Sequence, residues 1–227
     1  TLTAAAQQRE LDFEMLVNRL KPIRTKMFEI RSGRERPITD TKILTAWNGL
    51  MVQGLADAGR ILNRPDYVEA ATRAADFLLA QLLQEDGRVL RSFAAGEAKL
   101  NGYVDDYAFL ARGLQALHQA TGEARWLNHT REITDQQLER FWDEDANGFF
   151  FTSSDHPQLI VRVKDPTDGA IPAGSSVSLE NLRYLAEQTG EAKYRDAYEQ
   201  TLQSLVPLLR SEEHTSELQS RQYLVCR

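Results

Sequence analysis

Three polar stretches carry the residues with chemistry to offer, and each runs directly into an apolar segment. Asp40-Thr41-Lys42 leads to Trp47-Asn48-Gly49-Leu50-Met51, and Gly102-Tyr103-Val104-Asp105-Asp106-Tyr107 leads to Leu110 and Leu114. Lys164-Asp165-Pro166-Thr167-Asp168 leads through Pro172-Ala173-Gly174-Ser175 to Leu179 and Leu182. Because the apolar residues return at helical spacing, the polar ones sit at the N-terminal mouths of helices. Unpaired backbone N–H groups and the helix dipole favour an anionic or hydroxyl-rich guest there. The glycines have no phosphate-loop spacing, so nucleotide binding is not supported.

The elements that position these mouths follow a repeated plan. After the first mouth, Trp47, Leu50, Met51, Gly54, Leu55, Ala58, Ile61 and Leu62 predict a broad buried stripe. Asn63-Arg64-Pro65 opens a second helix with Tyr67, Ala71, Ala74, Leu78 and Leu82 on one face, and Val89 to Phe93 reads as a short extended piece. The second mouth begins a helix with Tyr107, Leu110, Ala111, Leu114 and Leu117, whose partner carries Trp126, Ile133, Leu138 and Phe141. Phe149 to Thr152 and Leu159 to Val163 read as a β-hairpin ahead of the third mouth. The last two helices carry Leu182 and Leu185, then Tyr194, Ala197, Leu202 and Leu205. Ahead of all this, Leu11 to Ile30 reads as one kinked helix or two short ones broken at Pro22, followed by a basic loop over Arg31 to Pro37. Gly54-Leu55 matches Gly113-Leu114, Tyr67 matches Trp126, and Asp86-Gly87 matches Asn147-Gly148, at an offset of about 60 residues. Each unit is a helical hairpin, and stacking such hairpins around an axis puts first helices inside and second helices outside.

Composition narrows the function classes. At 227 residues the chain can bury a substantial core, and its net charge of −6 with scattered Lys and Arg argues against nucleic acid. No apolar run approaches the roughly 18 residues needed to span a bilayer, so no membrane association is expected. The start lacks both Met and a signal-peptide pattern, and we read the chain as a fragment of a cytoplasmic protein. From Arg210 to Arg227 it reads like a frame translation of a common DNA-sequencing adapter, which implies a fold over 1–209 and an extraneous tail over 210–227. The one cysteine, Cys226, falls in that tail, leaving no thiol for disulfide, nucleophile or metal ligand in the rest.

Pro37 through Met51, Gly102 through Phe109 and Lys164 through Val177 together resemble the C-terminal helical region of the thioredoxin-domain-containing family that includes spermatogenesis-associated protein 20. The chain departs from the family pattern at Thr41, Ala173 and Ser175. The resemblance implies an all-α fold, a partial (α/α)6 toroid of helical hairpins with short β-hairpins at one rim. It is similar to glycosidases and to N-acylglucosamine 2-epimerase. It also implies an N-terminal thioredoxin-like domain in the full-length protein.

In such a toroid the inner-helix mouths gather at one rim. Asp40, Lys42, Trp47 and Asn48 then face Tyr103, Asp105, Asp106 and Tyr107, with Lys164, Asp165, Asp168 and Ser175 nearby. Carboxylates mixed with aromatics suit a saccharide, since rings stack on pyranose faces while Asp and Asn bind hydroxyls. Glycoside hydrolysis needs one carboxyl held protonated and another ionised, about 5 to 10 Å apart, and Asp40, Asp106 and Asp168 are the candidates. The competing role for these acids is helix capping. Likewise Trp47 can be core rather than a sugar platform, and Tyr107 stands between the same two roles. Epimerase chemistry would want rim histidines, but His118 lies deep in its helix, His129 on the outer layer and His156 in the hairpin. The acids lack a repeated ligand spacing, so neither metal nor other cofactor is expected. The sequence supports two functions: saccharide binding or processing at the rim, or a non-catalytic scaffold that docks a thioredoxin-like domain.

Overall fold

The computed structural model describes residues 2–9, 12–157 and 160–206. The suspected adapter tail, with His214 and Cys226, and the expected hairpin residue Leu159 lie outside the described residues. The chain divides into two compact units, Thr1–Thr41 and Lys42–Arg227.

The first unit holds α1 (Leu2–Gln8) and α2 (Phe13–Ser32). Asp12 starts α2 by accepting the amides of Glu14 and Met15, at 2.9 and 3.3 Å. One helix runs through Pro22, so of the two expected readings, one helix or two short ones, the single helix holds. The proline costs a single backbone bond and the helix is long enough to absorb it. No residue of α2 is buried.

The second unit builds outward from β1 (Ile43–Leu44), α3 (Thr45–Ile61), α4 (Pro65–Leu82), β2 (Leu90–Ala94), β3 (Glu97–Asn101), α5 (Val104–Thr121), α6 (Ala124–Phe141), α7 (Gly174–Thr189) and a final helix, α8, over 192–206. Helix α5 packs against both α3 and α7, while α4 and α6 cover α3 and α5 from outside. This is the expected stack of three hairpins. Its core joins Leu78, Leu82, Tyr107, Leu114, Trp126, Ile133, Phe141 and Leu185. The inner helices all end at a residue in the left-handed region, Asn63, Gly122 and Gly190, as one repeat unit would.

Strands β2 and β3 form a hairpin that turns at Ala95-Gly96, both at positive φ (51° and 82°), the backbone a two-residue hairpin turn requires. β1 adds antiparallel to β2, pairing Ile43 with Phe93 and Leu44 with Ser92. The three-stranded sheet thus ties the start of α3 to the segment entering α5. The second hairpin expected from Phe149 to Val163 forms no strands among the described residues. Trp142 bridges to Phe149 instead, and the Phe151 amide reaches the Val163 carbonyl at 2.7 Å.

The expected stripe on α3 is corrected. Its buried face is Thr45, Ala46, Gly49, Val52, Ala56 and Gly59, while Trp47 (63% exposed), Met51, Ile61 and Leu62 face solvent. The reason is close backbone approach. A Cβ on Gly49 would lie 2.5 Å from the Phe109 backbone, and one on Gly113 would lie 2.7 Å from the Gly49 carbonyl. The small residues let α3 and α5 touch, so the larger ones point elsewhere.

Candidate functional site at the mouths of the inner helices

Asp106 is the residue on which two mouths close. It is 1% exposed. One carboxylate oxygen accepts the Ala46 amide at 3.0 Å, capping α3 from another helix. The other accepts the Tyr103 amide at 2.9 Å, completing a capping box on α5. Arg91 of β2 stands 3.4 Å from that second oxygen. Burial pushes the Asp106 carboxyl up to about 6, against the pull of the two amides and Arg91.

Beside it, Asp105 is half-buried and also pushed above the ordinary carboxylate range. Burial is the first cause and the charge of Asp165 adds to it, while the Gly174 amide and Arg91 act the other way. Gly174 begins α7 where a side chain would collide with the Asp105 carboxylate and with Val104, so glycine lets the two mouths meet. Ser175 Oγ is 3.5 Å from the Asp165 carbonyl. Asp168 accepts the Ala173 amide at 2.7 Å and the Ser176 hydroxyl at 3.2 Å, capping α7 from solvent.

Tyr103 is enclosed by aromatic and cationic neighbours. Its ring stacks on Phe151 (4.8 Å between centroids) and on His156 (5.1 Å), and the Arg91 guanidinium lies 4.6 Å from it. Tyr107, weighed above as a sugar platform, is a core side chain. It is 1% exposed, its hydroxyl accepts the Val89 amide at 3.0 Å, and its ring meets the edge of Phe141. No face of that ring is left for a ligand. Trp47, favoured as core, has its ring open to solvent. Asn48 donates its amide to the Leu44 carbonyl at 2.8 Å, which pins α3 to β1.

The remaining expected residues separate from this group. Lys164 pairs with Asp143 at 2.8 Å and also donates to the Asn147 carbonyl, so its ammonium is committed to the turn after α6. That ammonium holds the Asp143 carboxyl below the usual range. Asp40 belongs to the first unit and Lys42 opens the second. His118 meets the Tyr184 hydroxyl at 2.6 Å, and His129 meets Glu132 on the exposed side of α6. Thus Tyr103, Asp105, Asp106, Asp165 and Ser175 come together, and Asp168 closes the same α7 mouth. Two participants were missed from sequence, Arg91 and Phe151. A charged residue between Leu90 and Phe93 in a short extended run was the one available signal for Arg91.

Among the described residues no cluster of three or more acids, histidines or cysteines is placed to hold a metal. No helix among them is long and apolar enough to cross a membrane.

With the hairpin stack and its mouths described, relatives bear directly on the chain. It is 34% identical over 206 residues to spermatogenesis-associated protein 20 of Homo sapiens, covering 86% of this chain and 26% of that protein. The protein of the same name from Rattus norvegicus is 38% identical over 181 residues, covering 75% of this chain and 23% of that protein. The chain is homologous to part of spermatogenesis-associated protein 20. It spans about a quarter of the length of these relatives. No family model matches it. Among solved structures it is similar to cellobiose 2-epimerase from Spirochaeta thermophila, with a TM-score of 0.57 and 21% identity, covering 72% of this chain and 43% of that one. The unsaturated glucuronyl hydrolase of Bacillus sp. GL1 gives a TM-score of 0.57 and 19% identity over 75% of this chain and 49% of that one. A family 76 α-mannanase from Bacteroides thetaiotaomicron gives 0.54 and 18% over 76% and 45%. These likenesses identify the fold: the hairpin stack is a partial (α/α)6 toroid with short β-structure at one rim.

Proposed function

We propose that the rim where α5 and α7 begin binds a saccharide. The observation that supports this most is the meeting of Asp105 and Asp165 across Gly174, with Arg91 and the Tyr103 ring alongside. Two carboxylates, a guanidinium and an aromatic edge match the alternating hydroxyls and apolar faces of a sugar ring. The toroid neighbours named above include enzymes of cellobiose, glucuronyl and mannan chemistry, which favours the same ligand class. If the site is catalytic, the roles divide by surroundings. Asp105, whose carboxyl is pushed upward by burial and by the charge of Asp165, supplies the acid, and Asp165 in solvent supplies the base. Asp106, whose two oxygens are occupied by backbone amides, holds the mouth together rather than touching the ligand. Asp168 stands as a flanking group of the α7 mouth, and Lys42 and Trp47 as contributions from the α3 side.

Thermal unfolding across a panel of mono- and disaccharides tests this reading. At a hundredfold excess over Kd a binding sugar stabilises the wild type by about 2.7 kcal/mol. Asp105→Asn and Arg91→Ala should each weaken the affinity about tenfold, the loss expected for one charged hydrogen bond, so that the stabilisation at the same sugar concentration falls to about 1.4 kcal/mol. If no sugar moves the wild type, the reading fails, and the scaffold alternative, docking of a thioredoxin-like domain, becomes the better one.

A further inference from the structure

Helix α2 carries an apolar seam that its own unit leaves uncovered. Phe13, Leu16, Leu20, Ile23, Met27 and Ile30 follow one another at intervals of 3, 4, 3, 4 and 3 residues. This is a heptad repeat with apolar residues at its first and fourth places, the narrow stripe of a helix that pairs with another helix rather than the broad one of a helix laid on a core. The seam runs for about 26 Å. Leu16 and Leu20 are half-buried, and the other four are exposed, Ile23, Met27 and Ile30 by more than half. Helix α1 touches α2 without burying any of its residues. Pro22 falls off the seam, and the helix keeps its spacing through it.

The residues beside the seam decide what fits it. Arg19 and Lys26 stand just before its first places, and Arg24 and Arg31 just after its fourth places. Every charged residue on the two flanks within the helix is therefore basic, in a chain whose net charge is −6. In a parallel pair of identical helices Arg19 would face Arg24 and Lys26 would face Arg31, and in an antiparallel pair each flank would face itself. Both arrangements set like charges together, which disfavours a second copy of this chain. A partner with acidic flanks turns each of those clashes into an ion pair. A bilayer surface fits less well, because a helix lying in it buries a broad apolar face, whereas Arg24 and Arg31 border this seam directly. On that side Arg24, Met27, Phe28 and Arg31 also line a groove with Arg34, which continues the basic and apolar surface past the helix end.

We propose that α2 is a docking ridge for one amphipathic helix from outside this chain, whose own apolar seam is bordered by Asp and Glu. Burial of the seam supplies the affinity and the flanks choose the partner. The docking is independent of saccharide binding at the rim.

Two synthetic three-heptad peptides test it, both with Leu at the first and fourth places, one with Glu on both flanks and one with Lys. Each repels its own copies and so stays free to bind. Titrated with the whole chain, the Glu peptide should bind saturably and gain helicity, and the Lys peptide should bind at least about tenfold more weakly. High salt should narrow that gap. Ile23→Asp should abolish binding of the Glu peptide without lowering thermal stability, since no residue of α2 is buried. Changing Arg19, Arg24, Lys26 and Arg31 together to Glu should reverse the preference toward the Lys peptide. The docking ridge is overturned if the wild type binds neither peptide or binds both alike, an arm that needs no variant to fold. It is also overturned if Glu-peptide binding survives Ile23→Asp, or if the wild-type chain dimerises in sedimentation and Ile23→Asp prevents it. Tighter binding to phosphatidylserine–phosphatidylcholine vesicles than to the Glu peptide, lost in Ile23→Asp, would replace the helix partner with a lipid surface.

Discussion

Trp47 and Asp106 hold the third position of successive inner helices, α3 and α5, and their fates are opposite. Trp47 is 63% exposed and Asp106 is 1% exposed. The difference comes from the neighbours. Helix α5 lies between α3 and α7, so its mouth is closed on both sides, whereas α3 has an inner neighbour only on the α5 side within its unit. The large apolar residue is therefore left in water while the charged one is buried, the reverse of what side-chain polarity alone would choose. The buried carboxylate is tolerated because both of its oxygens are paired with amides that would otherwise lack acceptors.

The largest effect expected from this contrast follows removal of the buried carboxylate. Asp106→Ala leaves the Ala46 and Tyr103 amides without their acceptor at the starts of two helices. Each unpaired buried group costs about 1 to 3 kcal/mol, and relief of the desolvated charge returns part of it. A net loss of about 3 kcal/mol should appear as a lower urea midpoint with unchanged m. An effect under about 1 kcal/mol would mean that the two mouths do not depend on this side chain. Asp106→Asn should cost less than Asp106→Ala, because the amide keeps one oxygen for Ala46, but it still destabilises, because its NH2 meets the Tyr103 N–H donor to donor.

A second, smaller effect is pH-dependent. The Asp106 carboxyl stands at about 6 in the folded protein against an ordinary 3.8. Between those values the folded state holds a proton that the unfolded chain has released, so this group's contribution to stability falls as pH rises from about 4 to about 6 and is level above. Its full extent is about 3 kcal/mol, and roughly half of that should be seen between pH 5 and pH 7. His156 contributes with the opposite sign, since its folded titration is drawn downward and stability at that group is lost as pH falls. The two separate in the difference between wild type and Asp106→Asn, measured by urea unfolding from pH 4.5 to 7.5. If the two curves run parallel, burial is not raising Asp106.

These contrasts show why some features were legible in the sequence and others were not. The face of α5 could be read because Leu110, Leu114 and Leu117 are themselves the residues its neighbours bury. The face of α3 could not, because its contact with α5 is made by Gly49, Val52 and Ala56. Hydrophobic spacing locates the apolar residues of a helix, but not the side on which a backbone can come close. Capping by Asp106 of its own helix was visible in Asp-Asp ahead of an apolar run. Capping of α3 was not, since Ala46 lies 60 residues away and is brought near by the fold. Arg91 was hidden for the same reason, as its meeting with Asp106 depends on how the β2 and β3 hairpin returns the chain.

The smallest effect is expected at Trp47, and there the comparison is most exposed to refutation. A tryptophan buried in the core costs about 3 to 5 kcal/mol when cut to alanine. A side chain as open as Trp47 gives up little apolar burial, and Trp47→Ala should change stability by less than about 0.5 kcal/mol. Fluorescence supplies an independent reading. Of the three tryptophans Trp126 is fully buried and Trp142 half-buried, so losing Trp47 should remove the red side of the native emission and leave a bluer band. A loss above about 2 kcal/mol, with no blue shift, would place Trp47 against a neighbour. The α3 mouth would then be closed as the α5 mouth is, and the asymmetry between the two inner helices would disappear.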